Sequence, residues 1–273
     1  LQFAGVGPGY LEGSSWHAHE MLFGFTLAVI AGFLFTAVRN WTQQPTPSGL
    51  ALAGCVALWI AGRVFVLTPF ALVSGLVNAA FPLAVAIGIG VPLARAGNRR
   101  NFFLVALLVG ASLAELAFHF AFLGLVEWSA RVSLQAALDG VLFVVAVIGG
   151  RVIPMFTNNG VPGAGASRHA WLERAALGTL LVLVAADIAG AEGILMALLA
   201  ALACAAHATR LALWKPWRTR RVPLVWSLHA AYAWIVVHFA LRAAAALEWI
   251  PDSLAIHALT VGAIGGMTLA MMT

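Results

Sequence analysis

Apolar stretches of about membrane-crossing length recur along the chain, set off by short segments rich in helix breakers. Nine can be drawn, at 16–38, 49–68, 75–94, 101–123, 131–149, 170–188, 193–212, 222–247 and 254–273. A helix rising 1.5 Å per residue needs about 20 apolar residues to cross the hydrocarbon layer. The stretches are rich in Ala, Leu, Val and Gly and lack two-residue alternation, so they read as helices and not as barrel strands. Between them lie Gln43-Gln44-Pro45-Thr46-Pro47, Ala96-Gly97-Asn98 and the longer segment from Thr157 to Ser167. The pattern predicts an all-α, polytopic transmembrane helical bundle of about nine spans, one transmembrane domain over residues 1–273. The chain opens on Leu1 and is still apolar at Thr273. The expectation is therefore a leading span before this sequence and several further spans after it.

Charge adds orientation. Of the 15 Lys and Arg residues, 12 fall in every second gap: Arg39; then Arg95, Arg99 and Arg100; then Arg151, Arg168 and Arg174; then Arg210, Lys215, Arg218, Arg220 and Arg221. The intervening gaps carry Glu127, Asp187, Glu192, Glu248 and Asp252, with Arg131 their one base, while Arg63 and Arg242 lie inside apolar runs. Basic loops stay in the cytoplasm, so the alternation supplies a topology. Composition agrees, with 62% hydrophobic and only 9% charged residues, outside the range of soluble domains. The pI near 10.2 belongs to short loops between spans. It points to anionic membrane lipid as the partner and argues against nucleic acid. Trp16, Trp41, Trp59, Trp128, Trp171, Trp214, Trp217 and Trp249 lie near span ends, as an interfacial belt requires. Cys55 and Cys204 have no metal-ligand spacing and read as packing residues.

With orientation set, each polar residue in a span acquires a depth. His17, His19 and Glu20 lie at the outer end of the first span, and Arg63 lies near the outer end of the second. Glu115 and His119 fall in the outer half of the fourth, and Asp139 about two turns into the fifth. His238 and Arg242 share a face in the outer half of the eighth, and His257 lies one turn into the ninth. Ionisable groups in hydrocarbon cost several kcal/mol and are functional candidates by default, so their gathering at one depth predicts an outer-half polar site.

Neutral imidazole suits haem iron and copper, and a thioether suits Cu(I). His17 and Met21 are four apart and share a helical face. His17 and His19 are two apart, and an extended lead-in ending at Glu20 would let both aim at one ion. His17, His19, His257 and Met21 are the metal candidates; His17, His19, His257 and His229, the last with Tyr232 on its face, are the cofactor candidates. Packing or a bond to a backbone carbonyl is the plainer alternative for any one histidine. Glu20 and Asp139 could hold an imidazole N–H or move protons, or could simply pair with Arg63 or Arg242. Paired histidines four turns apart on two helices, as in di-haem cytochrome bundles, are absent.

Three segments carry a resemblance. Trp16-His17-Ala18-His19-Glu20-Met21-Leu22-Phe23-Gly24-Phe25, followed by Ala37-Val38-Arg39-Asn40-Trp41-Thr42, resembles the opening signature of the NnrS family. Gly149-Gly150-Arg151-Val152-Ile153-Pro154-Met155-Phe156-Thr157 resembles its mid-chain segment, and His257 to Met267 its later span. The resemblance implies a bacterial inner-membrane protein containing haem and copper, associated with nitric-oxide metabolism and protection from nitrosative stress. It implies no particular turnover reaction and no particular electron donor. It supports His17, His19, Glu20, Arg151 and His257 as site residues and, less directly, His229; His238 matches no family motif. Arg151 is expected either to pair a haem propionate or to anchor a turn at Gly149–Thr157. A transporter with a polar substrate or proton path, and a non-catalytic haem or nitric-oxide sensor or scavenger, remain the alternatives.

Overall fold

Each of the nine apolar stretches forms a helix. The computed structural model describes residues 9–272, and no strand occurs among the described residues. The helices are α1 Gly13–Thr42, α2 Leu50–Val66, α3 Ala71–Arg95, α4 Phe103–Phe122, α5 Ala130–Gly160, α6 Ala170–Ile188, α7 Gly193–Leu213, α8 Pro223–Ala246 and α9 Asp252–Met272. Thr273, the expected end of the last span, lies outside the described residues.

Seven of these helices, all but α2 and α6, are long and apolar enough to cross a membrane, which makes this a multi-pass membrane protein. All nine expected spans are present as helices, and seven of them qualify as spans on length and composition. The 17 residues of α2 reach about 25 Å at helical rise, short of a hydrocarbon core of about 30 Å. In α6, Glu173 and Arg174 near one end and Asp187 at the other make the segment too charged.

Two helix boundaries depart from expectation with consequences for chemistry. First, α1 begins at Gly13, three residues before Trp16, so His17 and His19 sit on a helix and not on an extended lead-in. The helix widens to π geometry over Glu20–Thr26, where the Thr26 hydroxyl donates to the carbonyl of Met21, five residues back, at 2.8 Å. A second π segment, Ala258–Gly265, begins directly after His257 in α9. Such widened turns re-aim side chains and are frequent at functional sites.

Second, α5 continues through Gly149-Gly150 and Pro154 to Gly160, so the expected turn at Gly149–Thr157 is helix. Proline removes one backbone bond there without stopping a run that stays apolar through Val152, Ile153, Met155 and Phe156. The glycines serve packing instead. A Cβ on Gly149 would stand 3.4 Å from the Tyr232 ring, and one on Gly150 would collide with the Arg210 guanidinium.

The chain divides into two units, the first ending at Gly140 and the second beginning at Val141, with the boundary inside α5. In the first, α3 packs on α4, α2 and α1; in the second, α8 packs on α7 and α9, and α6 on α7.

Candidate metal centre

In the first unit, α1 and α4 bring three ionisable side chains to one point. His19, Glu115 and His119 are 0%, 1% and 0% exposed, and each can offer one ligand atom such that all three atoms lie within 4.8 Å of one another. His19 Nε2 is 3.2 Å from His119 Nε2 and 3.5 Å from Glu115 Oε1. A metal with bonds of about 2.0–2.1 Å and tetrahedral angles separates its ligand atoms by about 3.3–3.4 Å. These two spacings bracket that value. Phe23 and Phe118, both buried, set their rings 5.4 Å from the His19 ring and wall the site with apolar surface.

A chain of hydrogen bonds runs outward from both imidazoles and its two arms meet at Ser74, the facing Nε2 atoms completing the ring. His19 Nδ1 lies 2.9 Å from Glu20 Oε1, and Arg63 donates to the same oxygen at 2.9 Å. Arg63 also donates to Asn78 Oδ1. The Asn78 amide donates to the Ser74 carbonyl at 2.9 Å, the Gly62 carbonyl at 3.3 Å and Ser74 Oγ at 3.3 Å. Tyr10 donates its phenol hydrogen to Ser74 Oγ at 3.0 Å, and its oxygen is hydrogen-bonded to His119 Nδ1. Glycines make room for three members of this ring: a Cβ on Gly24 would strike Arg63, on Gly62 would stand 2.6 Å from Asn78 Oδ1, and on Gly75 would stand 2.8 Å from His119 Cβ.

Counting donors gives the ring a direction. Arginine only donates, so Glu20 and Asn78 Oδ1 accept. Glu20 Oε1, the acceptor of the Arg63 bond, takes the N–H of His19 Nδ1. With the Tyr10 hydrogen committed to Ser74, the bond between Tyr10 and His119 needs the Nδ1–H of His119. Both Nε2 atoms then carry lone pairs and face each other. Neither Glu115 oxygen has a hydrogen-bond partner; at 3.5 Å the approach to His19 is a charge contact, not a formed hydrogen bond. In this tautomer two lone pairs and a carboxylate converge, an arrangement that a cation stabilises.

The family model for NnrS protein matches residues 2–273. The chain belongs to the NnrS family. No curated protein and no solved structure matches it significantly.

This NnrS protein distributes the sequence-predicted residues unequally. His19 enters the cluster, and Glu20 holds it while pairing with Arg63, so the two roles considered for Glu20 coexist. Because the helix starts early, His17 and Met21 fall on an exposed face away from His19, Met21 being 44% exposed. Asp139, buried in α5, accepts from Gln135 at 3.0 Å and is not one of the three clustered residues. In the second unit, His257 is exposed with Nδ1 bonded to the Ser253 carbonyl at 2.7 Å. Arg151 is half-buried on α5. His229 is buried and donates from Nε2 to Thr157 Oγ1 at 2.8 Å, since the Thr157 hydroxyl is committed to the Ile153 carbonyl. Arg242 pairs with Asp187.

Glu115 and His119 were legible only as members of an outer-half cluster, and Tyr10 not at all. The usable signal was that Glu115 and His119 lie four apart on one face of an otherwise apolar helix. A second buried cluster, Arg210 with Glu173, Tyr232 and His207, was missed because Arg210 reads as a loop-side base. Arg210 donates to both Glu173 oxygens at 2.9 and 2.6 Å, to the Ala146 carbonyl at 2.9 Å and to Tyr232 at 2.8 Å. Tyr232 donates to His207 Nδ1 at 2.7 Å, and His207 Nε2 donates to the Ala176 carbonyl at 3.1 Å.

Proposed function

We propose that this NnrS protein is a metal-binding bacterial inner-membrane protein of the nitric-oxide response, with His19, His119 and Glu115 holding a transition-metal ion. The observation that carries the reading is the convergence of two imidazole nitrogens and an unpartnered carboxylate at one buried point beside Phe23 and Phe118. Copper, the metal the family implies, suits this set: two nitrogens and an oxygen favour Cu(II) over Cu(I), which prefers sulfur, and the Met21 thioether points elsewhere. A copper ion there would offer open coordination positions to nitric oxide, a small neutral molecule that reaches the site through lipid. The protein's own residues orient both rings, exclude water and hold the Nδ1 protons.

For haem, the fitting groups are single buried imidazoles of the second unit. His238 donates from Nδ1 to the Ala255 carbonyl at 2.8 Å and leaves Nε2 without a partner; His229 leaves Nδ1 without one. His238 would be the better residue to hold the iron, because a carbonyl-held Nδ1–H is the usual support of a ligating Nε2.

The test is metal analysis and absorption spectroscopy of the purified full-length protein, with anaerobic nitric-oxide consumption measured beside a reductant. Copper in the preparation, lost in His19→Ala and His119→Ala, supports the centre, and a Soret band lost in His238→Ala supports the haem assignment. One rival has an observation behind it: His19 lies between two carboxylates, so it could carry a proton as in a proton-coupled transporter. Metal-free protein in which His19→Ala abolishes proton-coupled flux in vesicles would favour that reading.

A further inference from the structure

The chain has two tyrosines, and each is hydrogen-bonded to a buried histidine, with opposite polarity. Tyr232 receives from Arg210 and must give its hydrogen to His207, whose other nitrogen then donates to a carbonyl. Tyr10 gives its hydrogen to Ser74 and must receive from His119. In the first case no imidazole lone pair remains; in the second, the Nε2 lone pair of His119 is turned towards His19 and Glu115.

We infer that Tyr10 is a positioning residue of the metal centre: held by the Ser74 hydroxyl, its phenol oxygen accepts the Nδ1 proton of His119 and so fixes the tautomer whose Nε2 ligates. This rests on the reading of His19, His119 and Glu115 as metal ligands. Glu20 does the same for His19, so each ligating ring is locked by a different acceptor. The two locks are joined through Ser74, Asn78 and Arg63 into one ring of hydrogen bonds. Arg63 polarises the ring from one side by donating to both Glu20 and Asn78. Tyr10 precedes the first helix, so a segment outside the span controls the ring orientation of a residue on α4. The tilted Tyr10–His119 ring contact, with centroids 5.8 Å apart, places the phenol at the edge of the imidazole and leaves the Nε2 side to the metal.

Outer hydrogen-bond partners of ligating histidines change metal affinity about 10–100-fold, which sets the expected effect. The experiment titrates Cu(II) into metal-depleted full-length protein in detergent, reading affinity by competition with a chelator and coordination by electron paramagnetic resonance. Tyr10→Phe should bind about 10–100-fold more weakly and show altered copper hyperfine splitting. Ser74→Ala frees the phenol hydrogen to turn towards His119 and should weaken binding in the same direction. Ser74→Thr, which keeps the hydroxyl, should restore both affinity and spectrum. If Tyr10→Phe or Ser74→Ala folds and binds Cu(II) with wild-type affinity and spectrum, Tyr10 does not set the tautomer, although the metal centre stands. If the wild-type protein itself fails to take up Cu(II), the metal reading and this inference fall together.

Discussion

Replacing Glu173 by Gln should destabilise the second unit far more than loss of a membrane-surface charge would. Arg210 is 1% exposed and its guanidinium stays charged at any accessible pH. Two of its hydrogen bonds, at 2.9 and 2.6 Å, go to the Glu173 carboxylate. Gln removes the opposing charge and turns an amide NH2 against one guanidinium nitrogen. Breaking a buried ion pair from one side costs about 3–5 kcal/mol, because the remaining charge is left uncompensated. At about 2–4 °C per kcal/mol for a protein of this size, the midpoint should fall by about 6–20 °C. The control is Arg168→Ala: Arg168 reaches the same carboxylate at 3.2 Å but is 41% exposed, and such pairs contribute at most about 1 kcal/mol. Thermal unfolding in detergent at a fixed scan rate, followed by circular dichroism, reads both variants. Adding Arg210→Met to Glu173→Gln should recover part of the loss, since the stranded charge is removed. A Glu173→Gln protein that melts within about 1 kcal/mol of the Arg168→Ala control would refute the argument that this charge is buried and compensated by Glu173.

Four further outcomes are expected. Gly150→Ala places a methyl against the Arg210 guanidinium and 3.0 Å from Glu173 Oε2; it should cost about 1–3 kcal/mol in the same melting assay, with the cost largely gone in an Arg210→Met background. Gly24→Ala pushes Arg63 off Glu20 and should weaken Cu(II) binding about 10-fold while leaving the melting of the second unit unchanged. Glu115→Gln should abolish the thermal stabilisation by Cu(II), which for the wild-type protein is about 2.7 kcal/mol at a free metal concentration 100 times Kd. His17→Ala should leave Cu(II) affinity at the wild-type value while His19→Ala removes it; equal losses in a chelator-competition titration would return His17 to the ligand set.

How much of this was legible in sequence depends on the scale of the feature. Apolar run length places all nine helices, because a buried backbone in hydrocarbon has no other way to satisfy its hydrogen bonds. Length and composition then single out seven of the nine as spans, α2 being short and α6 more charged. Run length ends α5 too soon, because Gly149-Gly150 and Pro154 look like breakers when they are close-approach positions and a proline that the helix carries through. Depth along the membrane grouped His19, Glu20, Arg63, Glu115 and His119 with Asp139, His238, Arg242 and His257; the first five are linked in the first unit, whereas His238, Arg242 and His257 make their contacts within the second. Depth cannot say which way around a helix a side chain points. One early helix start was enough to send His17 and Met21 to the opposite face from His19. The widened turn at Glu20–Thr26 lies beyond any 3.6-residue periodicity, and the Tyr10 contact depends on how the segment before α1 folds back.

The two buried polar clusters show what separates a structural network from a functional one when both are made of Arg, Glu, Tyr and His. Around Arg210 the ionisable groups pair among themselves and with carbonyls: guanidinium to carboxylate, carbonyl and phenol, phenol to imidazole, imidazole to carbonyl, while the indole N–H of the neighbouring Trp214 stays unpaired. That pairing leaves neither a His207 nitrogen nor a Glu173 oxygen free for a ligand. Around His19 the same residue types are ordered so that donors are spent on the outside of the ring and acceptors accumulate in its centre. A buried acceptor without a partner costs about 1–3 kcal/mol, more when charged, and both Glu115 oxygens are in that state beside the facing Nε2 atoms of His19 and His119. The three glycines at Gly24, Gly62 and Gly75 bring Arg63, Asn78 and His119 close enough to hold that order. A fold seeking stability alone would have closed the second ring as it closed the first; the accumulated acceptors are what a bound cation requires.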